Sequence, residues 1–267
     1  MKTKRAIIHY LPIYGCISTG LIYIAIGVIA MLSFLKLRDG GADESSMLAV
    51  MNDFTIGKVF IWIILSGTLS YIVWRIYEAV TDPYGYGTKW NGLAKRVGIG
   101  LSTIADLLIV YAAIRVLLGI SDIQVNGQPK EEREMVTALL QEPWGMAIIL
   151  SIGCTILVTA IVQFIYGVTR GYKERVNMEF FSAVVKSIIH VLAWIGYFSR
   201  GIILGITGFF FIKAGISENA KYVVNTDKAF DFIGDHVGHV YFIAVAIGTI
   251  CYGVFMLMLG VTYKEKR

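Results

Sequence analysis

GCISTGLIYIAIG at 15–27, GIGLSTIADLLIV at 98–110 and GYFSRGIILGITG at 196–208 are three statements of one pattern. Each opens on glycine and begins an apolar stretch of about twenty residues, the length that crosses a hydrocarbon core of ~30 Å as a helix. A second trio alternates with the first: GKVFIWIILSGTLSYIVWRIYEAV at 57–80, GMAIILSIGCTILVTAIVQFIYGV at 145–168 and GHVYFIAVAIGTICYGVFMLMLGV at 238–261. The six segments form three tandem pairs. Their period of roughly 80–100 residues is long for the common soluble repeats. Registered on the opening glycines, Gly67 stands with Thr155 and Gly248, Tyr71 with Thr159 and Tyr252, and Arg75 with Gln163 and Met256.

Composition agrees with a membrane protein. Mean hydropathy is +0.67. Apolar residues make up 56% of the chain and charged residues 16%, against about 25% charged in a soluble domain. The spans read as roughly 13–35, 58–80, 97–118, 146–168, 195–213 and 239–261. The expectation is an all-α integral membrane protein of six transmembrane helices. These form three tandem parallel helical-hairpin repeats in a pseudo-threefold bundle. The chain is expected to form a single membrane domain, 1–267, with repeat units of about 1–83, 84–172 and 173–267. Lys2, Lys4 and Arg5 ahead of an apolar run have the form of a signal peptide. The run from Leu11 to Leu35 is long enough to span and is also the first repeat copy, so it is read as a retained helix.

Charge sets an orientation. The N-terminus, the 81–97 loop, the 169–194 segment and the C-terminus carry 13 Lys/Arg and, with Glu78, 5 Asp/Glu. The opposite loops, 36–58, 120–143 and 214–237, carry 7 Lys/Arg and 13 Asp/Glu. The positive-inside rule then puts both termini in the cytoplasm. The net charge of +5 is thus a topology signal, and no nucleic-acid partner is expected.

GTLSYIVWRIYEAVTDP at 67–83, YGCISTGLIYIAIG at 14–27 and the tandem copies resemble the domain-of-unknown-function family 1206. That family is a bacterial membrane-protein group of repeated two-helix units. The resemblance covers nearly the whole chain and is strongest in the first hairpin; Gln163 and Met256 replace the arginine in the others. It implies the fold and a place in the bacterial cytoplasmic membrane. It brings no activity and no catalytic residues.

Ionisable groups at membrane depth are functional candidates because they are costly there. Asp106 lies ten residues beyond Arg96, about 15 Å along a helix, and its repeat counterparts are Tyr23 and Leu204. Arg75 and Glu78 share a face near the inner end of the second span. Arg200 is expected at similar depth on the fifth, and Gln163 stands in register with Arg75. Asp106, Arg75, Glu78, Gln163 and Arg200 are expected to gather between repeats. They would line a path for an ion or small solute, or form a structural ion-pair network. Gly20, Gly27, Gly201, Gly205 and Gly208 are expected to let helix backbones approach closely.

Asn177 to Ala193 reads as an amphipathic helix lying in the inner interface, with Lys186 and His190 on its polar stripe. Arg5 and His9 match those two residues in register. Lys186, His190 and His9 are read as snorkelling toward headgroups or as a duplicated proton or headgroup site. Short amphipathic stretches at 46–54, 131–142 and 228–236 are expected to cap the outer face. His236 and His239 lie near Asp231 and Asp235, but a third metal ligand is not evident. Cys16, Cys154 and Cys251 have no partners in spacing and read as packing residues.

No HExxH, phosphate-loop or GxSxG signature occurs, so no enzyme, cofactor or metal is expected. The expected function is a small channel or transporter. The alternative is a non-catalytic scaffold that engages a membrane or periplasmic protein, or a lipid, through its outer loops or interfacial helices.

Overall fold

A computed structural model shows an all-helical chain. It describes residues 2–35, 42, 44–52, 54–82, 85–119, 129–174, 176 and 181–262. The side chains at 2–9, 44–46, 50, 91, 94–95, 98, 101–102, 104–106, 108–109, 112, 131 and 174 lie outside that description. Among the described residues there are nine α-helices: α1 (Lys2–Phe34), α2 (Glu44–Asn52), α3 (Thr55–Thr81), α4 (Trp90–Leu117), α5 (Lys130–Leu140), α6 (Gly145–Thr169), α7 (Ala183–Ile216), α8 (Thr226–His236) and α9 (His239–Val261).

Among the described residues, five helical stretches are long and apolar enough to cross a membrane: Tyr10–Phe34, Thr55–Thr81, Gly145–Thr169, Ala183–Ile216 and His239–Val261. The remaining long helix, α4, is 28 residues and coincides with the third apolar segment of the sequence. Many of its side chains lie outside the described set, and it is not among the five. The short helices α2, α5 and α8 each end a few residues before an opening glycine, Gly57, Gly145 or Gly238, as their amphipathic sequences predict. Asn225 caps α8 by accepting from the Lys228 amide at 3.1 Å.

One expectation is corrected. The stretch read as a separate in-plane helix ending at Ala193 is instead, from Ala183 on, the start of one continuous 34-residue helix, α7. Residues 177–180 lie outside the described set. Ser182 caps α7, accepting from the Val185 amide at 3.4 Å. No proline interrupts α7, and the glycine that opens the third repeat, Gly196, is held against Tyr252 of α9. A helix of this length is about 51 Å long, against ~30 Å of hydrocarbon. Its first turns, with Lys186 and His190, therefore project beyond the apolar span. The 33-residue α1 is likewise continuous, through Pro12.

Two helix interfaces each occur twice in the same register. Between α1 and α3, Gly15 faces Tyr71 and Gly67 faces Ser18. The Ser18 hydroxyl donates to the Ile64 carbonyl at 2.9 Å and lies 2.9 Å from the Thr68 hydroxyl. Between α7 and α9, Gly196 faces Tyr252 and Gly248 faces Ser199, beside buried Thr249. Each residue of the first pair stands 181 positions before its counterpart, 15 to 196 and 67 to 248 alike.

The second interface joins neighbouring pairs. On α1, Gly20 meets Leu257 and Gly27 meets Ile250 and Ala246 of α9; on α7, Gly201 meets Phe164 and Gly208 meets Leu157 and Gly153 of α6. The α6 residues stand 93 positions before their α9 counterparts, 164 to 257 and 153 to 246 alike. Glycine is required here because the partner atoms include backbone: a Cβ on Gly20 would lie 2.8 Å from the Gly253 carbonyl oxygen.

The long helices therefore pack in the order α4–α3–α1–α9–α7–α6. No extended contact joins α4 to α6 among the described residues, so the second expected hairpin is not seen as a packed pair. The sequence supplies a reason. At the positions of Ser18, Gly67, Thr68 and Tyr71 the middle repeat carries Leu101, Thr155, Ile156 and Thr159. A Cβ at Gly67 would already lie 2.6 Å from the Ser18 Cβ, so threonine at that notch blocks the close approach.

Candidate functional site

The α7/α9 interface aims one arginine inward. Ser199 fills the notch at Gly248, and the next residue, Arg200, extends along α9. Its guanidinium lies 4.8 Å from the Tyr23 ring centroid on α1 and 4.9 Å from that of Tyr252 on α9. Its Nη1 donates to the Tyr252 hydroxyl. The two rings meet edge to face, centroids 5.0 Å apart and planes at 87°. Arg200 of α7 thus reaches α1 past α9, which lies between them in the packing order. Tyr252 is nine residues from the Val261 end of α9, about 14 Å. The arginine head is thus deep within the apolar zone, where burial of a cation is expensive unless rings and hydrogen bonds hold it.

Arg75 repeats part of this arrangement. Its guanidinium lies 4.8 Å from the ring of Tyr71, the counterpart of Tyr252. Glu78, one turn further along α3, is fully buried. Tyr71 stands ten residues before Thr81, the end of α3, much as Tyr252 stands nine before the end of α9. Arg200, on α7, meets rings of both α1 and α9. Gln163 is half-buried on α6. Asp106 lies within α4, but its side chain, like that of His9, lies outside the described residues.

An aromatic column continues from the arginine toward the termini. The Tyr197 ring meets Tyr252 at 5.5 Å and stacks on Tyr172 at 6.0 Å, and both rings pack on Phe255. Tyr172, in the 3-10 turn after α6, is buried, which raises its pKa and keeps the phenol neutral. Its hydroxyl lies 3.0 Å from His190 Nδ1. Lys186 is half-buried one turn before His190 on α7.

The glycine expectations divide. Gly20, Gly27, Gly201 and Gly208 lie at close helix contacts, while a Cβ at Gly205 meets nothing within 4 Å among the described residues. The contact seam uses seven-residue spacing, 20 to 27 and 201 to 208, which returns to nearly the same angle after two turns. Gly205 lies off that line.

On the loop side, a recess of about 170 Å³ is lined by Ser33, Phe34, Asp227, Asp231, Asp235 and His239, among others. Asp227 accepts from the Ala42 amide at 2.6 Å. Lys228 Nζ lies 2.6 Å from Asp231 and 3.6 Å from Asp227. Burial disfavours the Lys228 charge, but these carboxylates more than offset it and raise its pKa. Among the described residues, no three His, Cys, Asp or Glu side chains are arranged to hold a metal.

The partners that sequence reasoning missed are Tyr23 and Tyr252. Their signal was present in the register: Tyr252 repeats Tyr71, and Tyr23 stands at the position of Asp106.

Duplicated helical hairpins with five apolar, span-length helices define a multi-pass helical membrane protein. The family model described as Domain of Unknown Function (DUF1206) matches residues 14–82 and 195–263, and the chain belongs to that family. The two matched stretches are displaced by the same 181 positions as the packing contacts. The chain is similar to Uncharacterized protein YxxB of Bacillus subtilis (strain 168), with 26% identity over 250 residues, covering 92% of this chain and 88% of that protein. No solved structure matches significantly.

Proposed function

We propose that this is a bacterial cytoplasmic-membrane protein with six spans, α4 included, and both termini in the cytoplasm. It passes an ion or small solute through the helix bundle. Three two-helix units sit in cyclic order about a pseudo-threefold axis, the middle unit without a packed α4–α6 pair. The observation that supports transport is Arg200, held between Tyr23 and Tyr252 deep in the apolar zone. Packing alone is a poor reason to keep a charge there. Asp106, Arg75, Glu78 and Gln163 belong to the same proposed path. The test is ion and proton flux in proteoliposomes, wild type beside Asp106→Asn. Loss of flux in a stably folded variant supports the path. Absence of flux from well-folded wild type, across a panel of ions, counts against transport.

A scaffold is the second reading. It is favoured by the close glycine contacts, which suit a rigid body, and by the short helices α2, α5 and α8 that lead into the spans. That reading engages a membrane or periplasmic protein through the outer loops. It predicts no flux and a partner retained by α8 and the acidic recess.

A further inference from the structure

In two of the three units the second span lays the same face on the first. Gly67 and Tyr71 of α3 meet Ser18 and Gly15 of α1, and Gly248 and Tyr252 of α9 meet Ser199 and Gly196 of α7. The counterparts on α6 are Thr155 and Thr159, with Gln163 next along the same face in the place of Arg75. All three are half-buried, yet no extended contact to α4 follows among the described residues. Packed helices have axes 8–10 Å apart, and the seam between α4 and α6 is wider than that. α6 is also the least covered of the five span-length stretches. We propose that this seam holds one phospholipid with an anionic headgroup, its acyl chains on α6 and its phosphate at the Arg170 end.

The seam changes character along its length as such a lipid does. Thr155 and Thr159 give their hydroxyls to their own helix, donating to the Ser151 and Thr155 carbonyls at 2.8 Å each. What they leave for a neighbour is methyl groups, which suit hydrocarbon. The Gln163 amide makes no hydrogen bond among the described residues and offers two donors to ester oxygens. Seven residues on, about 10 Å along the helix and at nearly the same angle, the chain reads RGYKER at 170–175, three cations and one carboxylate. Arg170 and Lys173 are exposed. No carboxylate pairs with either among the described residues, which exclude the Glu174 side chain. A guanidinium is matched to phosphate oxygens. Length agrees as well. Thr155 stands fifteen residues before Arg170, about 22 Å, and one leaflet with its headgroups is about 20–22 Å thick. A protein helix is a poorer occupant, because threonine in place of the notch glycine holds off any close backbone, whereas a flexible acyl chain needs no notch.

The experiment uses the full chain in detergent micelles, titrated with phosphatidylglycerol or phosphatidylcholine and read by native mass spectrometry. One phosphatidylglycerol should bind per chain, about tenfold more tightly than phosphatidylcholine. Arg170→Gln combined with Lys173→Gln should abolish that preference. Thr159→Trp, which fills the seam, should weaken both lipids by about tenfold. Val158→Trp, on the exposed side of α6, should leave both unchanged. Phosphatidylglycerol with a photoactivatable group midway along its acyl chain should label α6 between Thr155 and Gln163. Should Thr159→Trp fail to fold, that label decides, and adducts that spare α6 overturn the proposal. Equal affinity for the two lipids, or a preference that survives loss of both cations, overturns it. Unchanged binding in folded Thr159→Trp places the lipid elsewhere and also overturns it. So does a dimer that Thr159→Trp dissociates, since a second copy then fills the seam.

Discussion

At the scale of single residues, the duplicated contacts turn on what glycine omits. Gly248 leaves the space that Ser199 occupies. Gly248→Ala should destabilise the protein by about 1–3 kcal/mol through overpacking, and Ser199→Gly added to it should restore part of the loss. Thermal unfolding in detergent reads both, and equal melting of Gly248→Ala and wild type would contradict the interface. Gly205 supplies the contrast. With nothing within 4 Å of its Cβ among the described residues, Gly205→Ala should be neutral or slightly stabilising, by up to about 1 kcal/mol of helix propensity. Both glycines look alike in the sequence, since each recurs in an apolar helix at small-residue spacing. Only the direction of the neighbouring helix separates them.

At the scale of elements, the end of α3 is tied down from two sides. Asp82 adopts the left-handed conformation at φ 49°, and its carboxylate accepts from the Gly87 amide at 2.7 Å and the Tyr86 amide at 2.8 Å. Arg96 of α4 donates to the Ala79 and Val80 carbonyls, each at 2.8 Å. Those carbonyls have no partner inside the last helical turn. The α3–α4 corner is therefore held by side chains on both strands of the connection. The Gly87 amide, with further help from Tyr86 and Arg96, holds the Asp82 pKa below its ordinary value. A depressed carboxylate pKa stabilises the folded turn above the unfolded value and loses that contribution as pH falls through the folded one. Amide protection of Tyr86 and Gly87, corrected for intrinsic exchange, should therefore fall below about pH 4. Asp82→Ala should show low protection at all pH values, and unchanged protection in that variant would assign the turn to backbone alone. Arg96→Ala should raise exchange at the start of α4.

At the scale of the whole molecule, two repeated interfaces account for the packing order from α3 to α6. The joint between α1 and α9 links the two family-matched units, and it brings Gly20 and Gly253 backbone to backbone. Gly253→Leu should therefore do more harm than a lipid-facing change such as Val240→Leu, with a loss of a few kcal/mol. Melting temperature in detergent compares them, and equal values would mean that the joint contributes little. The middle repeat departs from both matched units. It lies outside the family-matched residues, it has lost the Ser–Gly–Thr contact set, and its helices pack on α3 and α7 rather than extensively on each other. These three observations agree on where the duplicated plan changes.

The sequence by itself determined the helical class, the places of the long apolar runs, the short helices before the opening glycines and the register of the duplication. Those properties depend on apolar run length and local periodicity, which one strand of text records in full. The helices α1 and α7 run unbroken through Pro12 and Gly196, because packing against neighbours outweighs local propensity. Tertiary structure alone decided which helices touch, that Gly208 faces a neighbour among the described residues while Gly205 does not, and that Arg200 meets Tyr23 and Tyr252. The physical reason is that apolar runs of similar character satisfy a bilayer equally well in many arrangements. The arrangement is chosen by notches one methyl group deep and by where a buried charge finds rings and a hydroxyl, and both lie between residues far apart in the chain.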